Sequence, residues 1–155
     1  MALSHYEFDR FRHSLIAAQR LGSRQISEYM KAIDLTPSQS EVIQVLKRWQ
    51  PLSLKDLGTL LVCEKDSPSR LIERLVKDGL IDKVMNPADA RFVLLQLTDL
   101  GQEKSLQIEE IEEKLRGNLE KVFNDEELSL MSSTLEKMLV HFPDAETLRK
   151  RGLMK

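Results

Sequence analysis

The 155-residue chain carries one cysteine, Cys63. A single thiol excludes an internal disulfide and fits a reducing compartment, so a cytoplasmic protein is expected. Aromatic residues make up 5% and charged residues 31%, a balance that favours a helical protein over a β-sandwich. No apolar run approaches the roughly 18 residues of a membrane span. The opening Met1-Ala2-Leu3-Ser4-His5-Tyr6-Glu7-Phe8 is not a secretory signal, and no membrane role is expected. A Gly-rich phosphate loop, a paired-carboxylate motif in a turn and a nucleophile elbow are all missing, so no catalytic residues, no cofactor and no enzyme are expected. His5, His13 and His141 are scattered without ligand spacing, which argues against a metal site. Internal repeats and low-complexity linkers are missing too.

Charge of one sign is also lacking. The net charge of −2 gives no global argument for nucleic acid. Its distribution is more telling. Residues 47–91 hold nine Lys/Arg against seven Asp/Glu, and residues 99–155 hold nine against thirteen. A mildly basic middle therefore precedes an acidic C-terminal part.

The basic middle contains the most informative stretch. Ser67-Pro68-Ser69-Arg70-Leu71-Ile72-Glu73-Arg74-Leu75 predicts a helix that stops at Asp78-Gly79. Ser67 suits the cap, Pro68 the first helical position and Gly79 the stop. At helical period Leu71, Ile72, Leu75 and Val76 share one face. Arg70, Glu73, Arg74 and Lys77 fall opposite. Arg70 and Arg74 are four apart and point the same way. A major groove admits such a helix, and Arg suits guanine edges and phosphate. An ordinary amphipathic surface helix with solvated arginines fits this segment as well.

A hairpin candidate beyond Gly79 shifts the weight towards DNA. Ile81 to Val84 can pair with the apolar, β-prone run from Phe92 to Leu97 across Asn86-Pro87-Ala88-Asp89, which is turn chemistry. Arg91 lies near the tip, where an arginine suits the narrow, strongly negative minor groove. Asp89 is expected to hold Arg91 in place or to cap the turn. Thr98-Asp99 predicts the next helix start.

The rest reads as helices. From Phe8 to about Ile33 the residues Phe8, Phe11, Leu15, Ala18, Gly22, Tyr29 and Ile33 form a stripe of roughly helical period. Thr36-Pro37-Ser38-Gln39 combines a cap, a first-turn proline and the glutamine of a capping box. That helix should run to about Trp49 with Val42, Ile43, Val45 and Leu46 buried, and Pro51 interrupts it. Ser53 opens a short helix through Leu61. Two short helices joined by a turn, the second exposing arginines, form a helix-turn-helix layout. Beyond Thr98, Ile108, Ile111, Leu115, Leu119 and Val122 recur every three or four residues. After Asn124-Asp125, the residues Leu128, Met131, Leu135, Met138 and Phe142 do the same. Glu109, Glu110, Glu112 and Glu113 read as a solvated face. These stripes are expected to lie too far from the winged helix to share its core. A second copy of the chain is their simplest partner, which implies a twofold dimer and a pseudo-palindromic DNA site.

In order and spacing, Leu35-Thr36-Pro37-Ser38-Gln39, Leu54 to Leu61, Ser69 to Leu75, Asp78-Gly79-Leu80-Ile81, Asp89-Ala90-Arg91 and Leu97-Thr98-Asp99-Leu100-Gly101 resemble the multiple-antibiotic-resistance regulator (MarR) family. The resemblance covers about Leu35 to Gly101 in motif and the whole chain in layout. It implies a mainly α fold with a small β-wing: an N-terminal dimerisation helix (1–34), a winged helix-turn-helix (35–98) and C-terminal dimerisation helices (99–155). It also implies a homodimeric transcriptional regulator, usually a repressor, that binds double-stranded DNA and is released by a small-molecule effector. Ser69, Arg70 and Arg74 match recognition-helix positions that face DNA, Arg91 matches the wing arginine and Asp89 its partner. The candidate DNA-binding set is thus Ser67, Ser69, Arg70, Arg74, Lys77 and Arg91, and nothing in the sequence identifies the effector pocket. Departures from the family are Ala90 in place of a second basic residue, Pro68 in place of an apolar one, and Glu64 and Asp66 beside the expected phosphate path. Cys63 reads as a small buried packing residue, with a redox switch as the alternative. A winged helix used for protein contact is the other alternative function.

Overall fold

The computed structural model describes residues 2–63 and 67–155. Glu64 and Asp66, expected as unfavourable charges on the phosphate path, lie outside them. The chain divides into two compact units, Met1–Pro37 and Ser38–Lys155.

The first unit is dominated by one long helix, α1 (His5–Lys31), which starts earlier than the periodicity suggested. Ser4 is its cap: the hydroxyl accepts the Glu7 N–H at 3.1 Å. The stop is a left-handed turn at Asp34 (φ 60°), and the Leu35 N–H donates to the Met30 carbonyl at 3.0 Å. Met30 is the one buried residue of α1. Of the expected stripe Phe8 and Phe11 are exposed and Leu15, Tyr29 and Ile33 are half-buried, while Tyr6, Ile16 and Leu21, which lie outside it, are also exposed.

The second unit opens with α2 (Pro37–Trp49), whose Val42, Ile43, Val45 and Leu46 are fully buried, as the periodicity requires. The next helix, α3 (Leu54–Gly58), is capped by Ser53, which accepts the Asp56 N–H at 3.0 Å. It ends three residues short of the expected Leu61, yet Leu57, Leu60 and Leu61 all reach the core. Then comes α4 (Pro68–Lys77), with Pro68 in its first turn and Ile72 and Leu75 buried. Complete burial of a Leu or Ile side chain contributes about 1.5–3 kcal/mol, so α4 is held by this face. Gly79, at φ 75°, ends the helix and lets the Leu80 N–H bond the Leu75 carbonyl at 2.9 Å.

The wing is an antiparallel pair, β1 (Ile81–Met85) with β2 (Val93–Leu97), in the register Ile81↔Leu97 through Met85↔Val93. Phe92 remains outside the strand and exposed. Leu52 extends the sheet by exchanging two backbone hydrogen bonds with Leu95, at 3.1 and 2.7 Å. The Gln50 Oε1 accepts the Leu97 N–H at 2.7 Å.

Thr98 ties the wing to the next helix, α5 (Asp99–Glu120). Its hydroxyl donates to the Gly79 carbonyl at 2.6 Å and accepts the Gly101 N–H at 3.0 Å. At Gly101 a Cβ would lie 2.2 Å from the Leu80 carbonyl oxygen, so this crossing needs glycine. Ile108 and Ile111 are buried within the single chain. That corrects the expectation that the stripes after Thr98 lie too far from the winged helix to share its core. Because Thr98 starts α5 against Gly79 and Leu80, the first half of the helix runs along the core. Gln44 donates to Glu112 at 3.2 Å and Lys47 to Glu109 at 2.5 Å, so two of the glutamates expected on a solvated face bind α2.

The chain continues in α6 (Asp125–Leu139) and α7 (Asp144–Lys150). A reciprocal Asn124/Glu127 capping box starts α6. No residue of α6 is buried. Leu130, Met131, Leu135 and Met138 are exposed, and so is Phe142 beyond it. α7, which the sequence pattern did not reveal, buries Ala145 and Thr147.

Candidate nucleic-acid interface

The polar face of α4 results from the burial of its other side. With Ile72 and Leu75 inward, Ser69, Arg70, Glu73, Arg74 and Lys77 are exposed. Arg70 and Arg74 stand one turn apart on that face. The Arg74 Nε donates to Asp78 Oδ2 at 3.1 Å, which leans the guanidinium towards the C-terminal end of the helix. Ser67 occupies the cap position at φ −149° and ψ 55°, but its side chain makes no capping hydrogen bond, contrary to expectation.

The wing is organised by two short side chains. Asn86 Oδ1 accepts the Ala88 N–H at 2.9 Å, an Asx turn that starts the loop. Asp89 does both things expected of it. Its Oδ1 accepts the Arg91 backbone N–H at 3.1 Å and the Arg91 Nε at 3.0 Å, and its Oδ2 accepts Nη2 at 2.8 Å. This two-pronged grip leaves the Arg91 side chain 85% exposed. The hydrogen bonds from Arg91 hold the Asp89 carboxyl below the usual carboxylate range, and Asp89 raises the guanidinium in turn. A screened ion pair of this kind adds little to stability; its consequence is a fixed direction for the arginine.

The helix and the wing adjoin. A hollow of about 170 Å³ is lined by Leu54, Ser69, Ile72, Glu73, Lys83, Val93 and Leu95, so the N-terminal half of α4 lies beside the sheet face that carries the buried Leu95. Lys83, which sequence reasoning did not select, adds an exposed cation there.

Two further residues stand apart from expectation. Cys63 is exposed rather than buried. Its backbone N–H donates to Glu41 Oε2 at 2.8 Å. Partial burial pushes the thiol above its ordinary value, the Glu41 carboxylate adds to this, and Arg151 opposes it. That is the reverse of the thiolate stabilisation a reactive cysteine needs. Glu41 was missed altogether. It also accepts the Val62 N–H at 2.8 Å and pairs with Arg151 at 2.7 Å. Its partners lie 21, 22 and 110 residues away, so no local spacing reveals it. Among the described residues no grouping of His, Cys, Asp or Glu could hold a metal ion. Among them, too, no helix is long and apolar enough to cross a membrane.

The same region is recognisable in other proteins. Residues 35–101 match a winged helix DNA-binding domain family. The chain is 39% identical over 75 residues to the HTH-type transcriptional regulator BilQ of Clostridioides difficile, covering 48% of this chain and about half (51%) of that protein's length. It is 26% identical over 117 residues to the multiple antibiotic resistance protein MarR of Escherichia coli, covering 75% of this chain and 81% of that protein. The crystal structure of a point mutant of that MarR complexed with operator DNA is similar at a TM-score of 0.75, with 23% identity, 89% of this chain and 99% of that chain covered. A Bordetella bronchiseptica BpsR structure, described as showing how 6-hydroxynicotinic acid regulates DNA binding, is similar at a TM-score of 0.75, with 23% identity, 88% and 97% covered.

Proposed function

Because the chain belongs to the MarR family of winged-helix transcriptional regulators, we propose that it works as a homodimeric, cytoplasmic repressor on a pseudo-palindromic operator. Each copy lays α4 in a major groove and reaches the flanking minor groove with its wing. Ser67, Ser69, Arg70, Arg74 and Lys77 face the major groove, and Arg91, held by Asp89, enters the minor one. The observation that carries this reading is the pairing of exposed arginines on α4 with a wing arginine fixed outward by Asp89. The domain plan is a dimerisation helix (1–34), the winged helix (35–98) and C-terminal dimerisation helices (99–155). The uncovered apolar side chains of α1 and α6 support it.

A small-molecule effector releases the protein by favouring a dimer whose half-site spacing no longer fits DNA. The BpsR and MarR likenesses support this reading, and so does a hollow of about 500 Å³ beside Arg48, Trp49, Glu112 and Leu153. Burial raises the Glu112 carboxyl there above its ordinary value.

The test is a titration against a duplex from the region upstream of its own gene, at two salt concentrations, with a scrambled duplex as control. Preference for the first duplex, with affinity falling as salt rises, is the expected result, because phosphate contacts release counterions. Equal weak binding to both, with genome-wide fragment selection recovering no preferred site, sinks the proposal and leaves a protein-binding winged helix.

A further inference from the structure

Glu41 takes no part in the DNA-facing surface, yet it is among the best-engaged side chains of the molecule. It sits on α2 with its side chain 8% exposed. Its carboxylate serves donors from two other places in the chain. The Val62 N–H reaches Oε1 at 2.8 Å and the Cys63 N–H reaches Oε2 at 2.8 Å. These are the last described residues before Ser67 and α4. The Arg151 Nη1, just past α7, reaches Oε1 at 2.7 Å.

A carboxylate that accepts two consecutive backbone N–H groups fixes the direction of the chain through them, and the ionised acceptor makes those bonds strong. Arg151 keeps that carboxylate in place. Its side chain is 20% exposed, and its Nε is buried without a partner among the described residues. The guanidinium is therefore held by the contact with Glu41 more than by the surrounding polar groups. Arg151 is itself placed by α7, whose Ala145 and Thr147 are buried, and by its own N–H bond to the Thr147 carbonyl at 3.1 Å.

We propose that Glu41 is a positioning residue for the recognition helix and that Arg151 holds it in that role, so that the C-terminal segment fixes the Val62–Cys63 backbone from which the chain goes on to α4. The proposal rests on the DNA-binding reading above. It differs from a plain packing contact in what it changes: the attitude of α4, and hence the preference between duplexes, besides stability.

The test uses the full chain and the variants R151Q, R151K and E41Q. Amide hydrogen exchange at Val62 and Cys63 reads the anchor without DNA. Loss of one hydrogen bond to a charged group should speed exchange there about tenfold in R151Q, with the Val45 and Leu46 amides unchanged. The preference for the upstream duplex over the scrambled one should fall by about the same factor, and R151K should recover most of both effects. E41Q removes the charge that opposes the Cys63 thiolate, so iodoacetamide should alkylate Cys63 faster at pH 8. Unchanged exchange at Val62 and Cys63 in R151Q overturns the proposal. So does faster exchange with duplex preference intact, because the contact would then be packing alone. A wild-type protein without duplex preference counts against the DNA reading, and the exchange measurements still decide whether Arg151 and Glu41 fix that backbone. R151K keeps the charge, so it serves as the folded comparison if R151Q unfolds.

Discussion

α4 and α6 are built to the same plan and end in opposite states. Each is a helix with an apolar stripe and a polar back. α4 buries Ile72 and Leu75 within its own chain. α6 buries nothing, and Leu130, Met131, Leu135 and Met138 are left on its surface. The winged helix is thus closed as a single chain, and α6 is left with a face that only another surface can cover. Contiguous exposed apolar side chains of this kind mark an interaction site. The proposed dimer supplies that surface, and four tests separate the two helices.

The largest effect is expected at Leu75, which has no exposed surface. Leu75→Ala should cost about 2–5 kcal/mol of stability through lost contacts and a cavity. Thermal or urea unfolding measures it, and a loss below about 1 kcal/mol would mean that α4 is not closed by this core. The counterpart on the open helix is the double variant Leu135→Glu with Met138→Glu. Unfolding of the chain should change little, whereas self-association measured by sedimentation should weaken about a hundredfold, since two charges would enter an apolar interface. An intact dimer would show that α6 is not the covered face.

Arg70→Ala and Arg74→Ala should leave melting unchanged and each remove about 1–3 kcal/mol of discrimination at one or two base positions. Arg91→Ala should weaken binding evenly across sequences and lower the salt slope by about 1. Wild-type behaviour in all three variants would break the docking proposal. The smallest effect concerns pH. The folded-state pKa of Asp89 is depressed by its hydrogen bonds from Arg91. The order it gives the wing is therefore complete above the ordinary carboxylate value of about 3.9 and lost as pH falls through the lower folded value. Protection of the Arg91 amide, taken as its exchange rate relative to an unstructured amide at the same pH, should hold at pH 5 and fall only below about pH 4; an onset near pH 6 would assign the protection to some other group.

Most of the winged helix was legible in the sequence because its signals are local. Pro68 in the first turn, Gly79 at the stop, Asn86 and Asp89 in the wing loop and Thr98 at the α5 cap each act on partners within a few residues. The buried stripe of α2 and the arginine face of α4 likewise come from helical period alone. Ser67 shows the limit of such signals, since a residue with the right chemistry at the right position makes no cap bond. Cys63 shows another limit: residue type suggested burial, and the residue is exposed.

By itself the sequence determined the element order as far as α6, the buried faces of α2 and α4, the two-residue grip at the wing tip and the need for a partner surface. Only the tertiary structure decided that Ile108 and Ile111 belong to the winged-helix core, that Leu52 and Gln50 bind the wing, and that Glu41 joins Val62 and Cys63 to Arg151. The physical reason is separation along the chain. Caps and turns act over three or four residues and can be read in sequence. A carboxylate whose partner stands 110 residues away gains it only once the packed core has brought the two segments together.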